Sequence, residues 1–149
     1  MDNCKSLSHS LEDYLEAILI LETKNRVARV RDIAAHLDVQ MPSVTGAVKN
    51  LRDRGLVDYE KNSFICLTED GKKTAEEIFN KHSVLLDFLE NVLLLSHEKA
   101  VEQACKIEHV IDSETASRFS NCSSYIRAIL ENPEGITESE WRKNIGKGL

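Results

Sequence analysis

Hydrophobic side chains recur along this chain at spacings of three and four residues, which is the pattern of amphipathic helices. The first such stretch is predicted to begin at Ser10, a favourable N-cap, and to end near Asn25. Its apolar positions leave almost no polar side, so we expect this helix to be buried over most of its circumference. A short helix over residues 30–37, a tight turn at 38–40 and a third helix over 42–54 are predicted to follow.

A change of pattern after Gly55 predicts a β-hairpin, in which short strands at 56–59 and 64–67 flank a turn at 61–63. Helix, short helix, tight turn, helix and hairpin is the order of a winged helix-turn-helix. Three further helices are expected, the first capped by Thr68 and running to Val92, the second from Ser96 to about Ile111 and the third from Ser113 to Ile129. The fold is therefore predicted to be mainly α.

The composition agrees with a packed helical protein, since 42% of the residues are hydrophobic and only two are prolines. No apolar run approaches the roughly 20 residues of a membrane span. The N-terminus lacks the apolar core of a signal peptide, so we expect a cytoplasmic location and no membrane partner. The four cysteines show no CxxC spacing and are expected to be free thiols.

The formal net charge of −6 argues mildly against nucleic-acid binding, because phosphate attraction favours basic surfaces. Basic residues within the first 60 positions weaken that objection, and they are Arg26, Arg29, Arg31, Lys49, Arg52 and Arg54. In a winged helix-turn-helix the first residues of the third helix reach base edges. The candidate DNA-binding residues are Pro42, Ser43, Thr45 and Lys49, with Arg31 and the hairpin residue Lys61 near the phosphates. A winged helix that binds no DNA, and arginines that are ordinary solvated side chains, are the alternatives.

A second group of residues carries metal-ligating atoms on three predicted helices. These residues are Asp13, Glu16, His82, Cys105, Glu108 and His109. Several of them fall where helical spacing predicts an apolar face, and burying a charge there is costly unless something compensates it. A divalent cation is the simplest compensation. The mixture of carboxylate, imidazole and one thiol suits Mn²⁺, Fe²⁺, Co²⁺ or Zn²⁺ better than Ca²⁺ or Mg²⁺.

Each of these residues also has a simpler interpretation. Cys105 alone is equally consistent with a small core residue. His82 alone would more often be a hydrogen-bonded core histidine. Asp13 stands three residues after Ser10 and resembles the acid of a capping box, although Glu16 is not explained in that way. The metal hypothesis therefore depends on the whole set rather than on any one member.

The same residues carry a resemblance to a known family. Five segments match it, SLEDYLEAI at 10–18, VRDIAAHLDVQMPSVTGAVKNLRDRGLV at 30–57, LTEDGKK at 67–73, KHSVLLDFL at 81–89 and ACKIEHVID at 104–112. The chain resembles the diphtheria toxin repressor and manganese transport regulator family of bacterial metal-dependent repressors, in its two-domain, manganese-regulator-like branch. Asp13 and Glu16 match the manganese branch, whereas Cys105 is typical of the iron branch.

The resemblance implies an N-terminal winged helix-turn-helix, residues 1–72, followed by an α-helical metal-binding and dimerisation domain, residues 73–132. A polar C-terminal tail, 133–149, would complete the chain. It implies a homodimer that binds a palindromic double-stranded DNA operator and that uses the six residues as ligands for Mn²⁺ or Fe²⁺, with Zn²⁺ or Co²⁺ as alternatives. The expected function is repression of metal-uptake genes when metal is plentiful.

Two rival functions are alternatives to this expectation. One is a winged-helix regulator that senses redox state through a thiol switch at Cys105 or Cys66, which would need an accessible thiolate. The other is a small metal-dependent hydrolase. The sequence shows no separate general base or oxyanion loop, so we do not expect an enzyme.

Overall fold

The structure is a computed structural model that describes residues 7–60, 64–132 and 135–145. The chain divides into two compact units, Met1–Phe79 and Asn80–Leu149, and the division falls within one long helix. Unit 1 contains α1 (His9–Asn25), α2 (Val30–Leu37), α3 (Met41–Asp53), β1 (Val57–Tyr59), β2 (Ile65–Leu67) and the first part of α4 (Glu69–Asp87). Within the described ranges, no helix is both long and apolar enough to cross a membrane.

The core of unit 1 is built from α1 and the two helices that follow it. Leu15 and Ile18 of α1 are fully buried against Ile33 of α2 and Val44 and Leu51 of α3. The other positions of α1 between residues 11 and 22 are buried or half-buried, which confirms the expected lack of a polar side. The predicted bounds of α2 are confirmed.

The start of α1 was predicted wrongly. Ser8, not Ser10, is the N-cap, and its Oγ accepts a hydrogen bond from the Leu11 N–H at 3.4 Å. Ser8 has extended backbone angles, whereas Ser10 already lies inside the first turn. Asp13 is therefore too far along the helix to serve in a capping box, and that simpler interpretation of Asp13 is removed.

The hairpin joins the helix-turn-helix to α4 as predicted. Strands β1 and β2 are antiparallel, with Asp58 opposite Cys66. The Thr68 hydroxyl accepts from the Gly71 N–H at 3.0 Å and donates to the Gly55 carbonyl at 2.7 Å, which confirms Thr68 as the cap of α4. A Cβ at Gly71 would lie 1.8 Å from the Leu56 carbonyl oxygen, so only glycine fits this close approach. The predicted turn at 61–63 lies outside the described residues.

Unit 2 contains the remainder of α4, which continues into a π-helical segment, Phe88–Val92. Helices α5 (His97–Ile107), α6 (Ser113–Leu130) and α7 (Glu138–Ile145) follow. Leu85 and Leu89 pack with Ala100 and Ala104 of α5, and Phe119 of α6 lies against that cluster. The α4–π segment and α5 therefore share one small core.

The end of α5 differs from the prediction, whereas the start of α6 agrees with it. Helix α5 ends at Ile107 instead of Ile111, so Glu108 and His109 follow the helix. Helix α6 begins at Ser113 as predicted, and its N-cap is Asp112, whose carboxylate accepts a hydrogen bond from the Thr115 N–H at 2.7 Å. These hydrogen bonds lower the pKa of Asp112.

Part of the segment expected to be a polar tail forms α7. The Trp141 indole Nε1–H donates to the Val92 carbonyl at 3.0 Å, which ties α7 to the end of the π-helical segment.

Candidate metal centre

Glu108 is the centre of a polar cluster in unit 2. Its carboxylate is buried, with 1% of the residue exposed, although it lies just after the last turn of α5. Its backbone N–H still donates to the Ala104 carbonyl at 3.0 Å, so the position of Glu108 is fixed by the helix that it ends. A buried carboxylate needs a hydrogen-bonded or ionic partner to offset its loss of hydration.

Two imidazoles supply such partners. The His82 Nδ1–H on α4 donates to Glu108 Oε2 at 2.6 Å, a distance typical of a charge-assisted hydrogen bond. His109 Nε2 lies 3.5 Å from the other oxygen, Oε1. The side chains of His82 and His109 are 18% and 7% exposed, so both rings are largely withdrawn from water.

Cys105 is the fourth predicted ligand that lies in unit 2. Cys105 lies in the last turn of α5, three residues before Glu108, and its Sγ is 3.9 Å from His82 Nδ1. The structure places Cys105 on the exposed side of that helix, which contradicts the interpretation of it as a core residue. Of these two residues only Glu108 is buried, so Cys105 and Glu108 do not share one buried face.

Lys81 was not among the residues predicted for the site, yet it holds the turn that carries two of them. Its Nζ donates to the carbonyls of Glu108 at 3.4 Å and Ile111 at 3.3 Å. These contacts satisfy carbonyls at the end of α5 and fix the chain on both sides of His109. Its place next to His82 in the sequence was the only available signal, because the bonded residues are 27 and 30 positions away.

The donor atoms of unit 2 fit a divalent transition ion. They comprise carboxylate oxygen, imidazole nitrogen and thiol sulfur, which together suit the borderline ions between Mn²⁺ and Zn²⁺. Because imidazole and thiol ligands bind a metal in their deprotonated forms, metal binding at these residues would release protons.

Asp13 and Glu16 lie in unit 1, one helical turn apart on α1 and both half-buried. Tyr14, Leu15 and Ala17 between and beside them are buried in the unit 1 core. The local sequence thus holds both carboxylates on a well-packed helix. The spacing places their side chains on one face, as expected for two ligands from one element.

The candidate DNA-binding residues are grouped at α3. Pro42 and Ser43 are exposed in its first turn, Lys49 is exposed further along, and the half-buried Thr45 donates its hydroxyl to the Met41 carbonyl at 3.0 Å. A surface groove of about 540 Å³ contains Thr45, and its other lining residues are Arg29, Val30, Arg31, Met41, Tyr59 and Phe64. Lys61 lies outside the described residues.

The structure gives no support to a thiol switch at Cys66. Burial raises the pKa of the Cys66 thiol, and the nearby Glu22 carboxylate raises it further. A raised pKa reduces the thiolate population on which peroxide sensing depends.

Comparison with known proteins identifies matches over both units. Residues 6–64 match the family model described as iron dependent repressor, N-terminal DNA binding domain, and residues 68–136 match iron dependent repressor, metal binding and dimerisation domain. An uncharacterized HTH-type transcriptional regulator of Methanocaldococcus jannaschii is 38% identical over 114 residues, which cover 76% of this chain and 91% of the relative. The HTH-type transcriptional regulator MntR of Oceanobacillus iheyensis is 35% identical over 118 residues, covering 79% and 80%.

Solved structures show the same similarity. The manganese regulator SloR is 29% identical, with a TM-score of 0.69 over 77% of this chain and 54% of the SloR chain. The chain therefore spans about half of that protein, whereas it spans most of the two relatives above.

Proposed function

The chain belongs to the iron-dependent repressor family in both its DNA-binding domain and its metal-binding and dimerisation domain, and from this premise we propose a specific function. It acts as a homodimer that binds double-stranded DNA in response to a divalent transition metal. It represses metal-uptake genes when the metal is bound. Because the partner is DNA, the proposed location is the cytoplasm.

The buried carboxylate of Glu108 is the observation that carries the proposal. A structural role alone would be served by an apolar residue at this position, since burying a charge is costly. Glu108 instead has an imidazole within 4 Å of each carboxylate oxygen, at 2.6 and 3.5 Å. Carboxylate and imidazole groups gathered in one largely buried place are the common ligands of Mn²⁺ and Fe²⁺.

We propose that the ligand set is shared by both units. His82, Cys105, Glu108 and His109 come from unit 2, and Asp13 and Glu16 come from α1, as the family resemblance implies. When bound, the ion supplies positive charge that offsets the negative charge of the carboxylates. Its coordination bonds would join the two groups of ligands. The α1 carboxylates transmit that constraint to the DNA-binding unit, because α1 and α3 share the unit 1 core.

Repression then follows from selection of one arrangement of the dimer. Two recognition helices must reach half-sites about one DNA turn, roughly 34 Å, apart. A metal ion raises DNA affinity only to the extent that it binds this arrangement more tightly than the others. The coupling is reciprocal, so the operator should also tighten metal binding.

The proposed metal is Mn²⁺ or Fe²⁺. The carboxylates favour the harder Mn²⁺, whereas a thiolate at Cys105 would favour Fe²⁺ or Zn²⁺. SloR, which is similar in fold and sequence, is described as a manganese regulator, and this supports Mn²⁺.

A metal-titrated DNA-binding measurement tests the function. Full-length protein, stripped with chelator, would be used to select duplexes from a random pool in the presence of Mn²⁺. Binding to the selected duplex would then be measured by fluorescence anisotropy with Mn²⁺, anaerobic Fe²⁺, Zn²⁺, Co²⁺ or Mg²⁺. We expect at least tenfold tighter binding with Mn²⁺ or Fe²⁺ than with chelator or Mg²⁺, corresponding to about 1.4 kcal/mol or more of coupling. Equal binding with chelator would refute the proposal.

The contribution of α1 needs its own variants. Asp13→Asn and Glu16→Gln should each reduce the metal effect on DNA affinity while retaining the dimer. Glu12→Gln is the matched control, since Glu12 is an acid of the same helix that is outside the proposed ligand set. If all three variants respond to Mn²⁺ as the unmodified protein does, the shared ligand set is wrong even if metal-dependent DNA binding remains.

A further inference from the structure

The groove beside the recognition helix contains an arginine that sequence reasoning left among several equivalent basic residues. Arg29 is the last residue before α2, and its side chain makes no capping hydrogen bond. Its guanidinium carbon lies 5.0 Å from the centroid of the Phe64 ring, next to strand β2. This distance is within the range of a cation–π contact.

Phe64 is an unusual residue for the surface position that it occupies. It is 49% exposed, and Met41 in the same groove is 55% exposed. A large exposed aromatic ring gains little from burial, so its contact with Arg29 is the clearest function that the structure gives it. The ring restricts the guanidinium from one face and leaves the N–H groups in the guanidinium plane able to donate.

Arg29 also differs from nearby arginines in whether an acidic side chain lies close to it. Arg31 is paired with Asp32 at 3.2 Å, and Arg52 is paired with Asp53 at 2.8 Å. Among the residues that the structure describes, no carboxylate lies within ion-pair distance of Arg29. Its positive charge is therefore not offset locally, although the chain as a whole carries a net charge of −6.

We propose that Arg29 binds a DNA phosphate beside the recognition helix and that Phe64 is the positioning residue that orients its guanidinium. This inference rests on the proposed DNA-binding function and deepens it by giving Arg29 and Phe64 specific roles. Arg29 shares its groove with Thr45 of α3, the helix expected to enter the major groove. A phosphate is the favoured ligand, because a planar guanidinium can donate two parallel hydrogen bonds to it.

A phosphate contact predicts a specific signature in salt titrations. Each neutralised phosphate contributes about 0.9 to the slope of log K against log salt concentration on duplex DNA. Arg29→Ala should therefore reduce the magnitude of the slope by about one and weaken binding at low salt by roughly tenfold, as expected when a hydrogen bond to a charged group is lost. The loss should be similar on selected and mismatched duplexes.

The role of Phe64 is tested by comparing substitutions. Phe64→Ala should weaken binding but keep most of the salt slope, because the charge of Arg29 remains. The double variant should bind no more weakly than Arg29→Ala, since Phe64 acts through that side chain. Arg29→Lys should keep the slope but lose part of the affinity. Lys24→Ala is the charge-matched control, because it removes one exposed positive charge from α1 without touching the groove.

The outcomes separate this inference from the function on which it rests. All variants would be measured with saturating Mn²⁺, after thermal melting shows that each folds. If the unmodified protein does not bind DNA in response to metal, the proposed function fails. If it does bind, but Arg29→Ala keeps the slope of the Lys24→Ala control, the phosphate contact is refuted. A loss confined to particular base pairs would also overturn it, by showing a base contact instead.

Discussion

Replacing Glu108 by glutamine should remove most of the metal response while leaving the fold intact. The substitution keeps the size of the side chain and an oxygen that can accept from the His82 Nδ1–H. In the unmodified protein these two atoms, Glu108 Oε2 and His82 Nδ1, are 2.6 Å apart. The substitution removes the negative charge, which is the property that a cation requires. Because the side chain is 1% exposed, water cannot replace the lost ligand without rearrangement.

The expected sizes can be estimated from these contacts. Losing an outer hydrogen-bond partner of a metal ligand costs about 10- to 100-fold in affinity, so losing a direct ligand should cost at least about 100-fold. At an ion concentration 100 times the unmodified Kd, binding stabilises the protein by about 2.7 kcal/mol, and this falls to about 0.4 kcal/mol in the variant. For a chain of this size the corresponding rises in Tm are about 8 °C and about 1 °C.

Without metal, the two proteins should have similar stability. Exchanging a charge-assisted hydrogen bond for a neutral one costs about 1 kcal/mol, and removal of a buried charge offsets part of that cost. We therefore expect the Tm of chelator-treated Glu108→Gln to lie within about 3 °C of the unmodified value.

Thermal melting with and without Mn²⁺ measures both quantities in one experiment. Glu102→Gln is the matched control, because Glu102 lies on the same helix but is exposed and paired with Lys106 at 2.5 Å. The control should retain the full metal-induced rise. If Glu108→Gln retains it as well, Glu108 is not a ligand and the account of the centre is wrong.

Three further predictions concern residues around the centre. Lys81→Met should lower Mn²⁺ affinity by about tenfold, because the amine no longer fixes the turn that carries Glu108, and Lys81→Arg should restore most of it; equal affinities by calorimetry would contradict this positioning role. Cys105→Asp should raise the ratio of Mn²⁺ to Zn²⁺ affinity in competition titrations, whereas an unchanged ratio would show that the thiol is not a ligand. Asp112→Ala should lower Tm at neutral pH, because the hydrogen bonds from Thr115 lower the pKa of Asp112 and stabilise the fold above its ordinary pKa. That difference should shrink as the pH falls through the lowered folded pKa of Asp112, and a difference in Tm that does not depend on pH would contradict the assignment.

Local signals were sufficient to predict most of unit 1. Pro42 marks the first turn of α3, Gly55 with φ +75° follows its end, and Thr68 caps α4. Each of these residues acts on backbone groups only a few positions away, so the sequence carries the information directly. The start of α1 was missed because Ser8 and Ser10 are both acceptable caps, and the choice depends on which one the chain leaves extended.

The end of α5 shows why other features were not predictable. Val110 and Ile111 continue the apolar spacing, and no glycine or proline interrupts it. The helix nevertheless ends at Ile107, and Lys81 donates to carbonyls of the turn that follows. These hydrogen bonds join residues 27 and 30 positions apart, so the pattern within residues 97–111 cannot reveal them.

The wrong end of α5 affected the reason for selecting Glu108 as a ligand but not the selection itself. Glu108 was selected because helical spacing placed it on an apolar face, and it is buried although the helix has already ended. A carboxylate among apolar neighbours needs a partner because it is buried, whatever the periodicity of the segment. That inference therefore remained correct although the helix ends before Glu108. The pairing of Arg29 with Phe64 was missed because neither residue breaks a local pattern.

The His82–Glu108 hydrogen bond has a consequence for how such a centre can regulate. It brings ligand atoms from α4 and from the end of α5 together within the fold of unit 2. The conformational entropy lost in assembling these ligands is therefore already part of the free energy of folding. An ion that bound only to this preformed group would bind tightly and change nothing else. Regulation requires ligands whose placement differs between the states, and in the proposed function these are the carboxylates of Asp13 and Glu16. The energy gained when they join the ion is the part that can shift the equilibrium of the dimer, since a ligand alters a population only through its differential affinity.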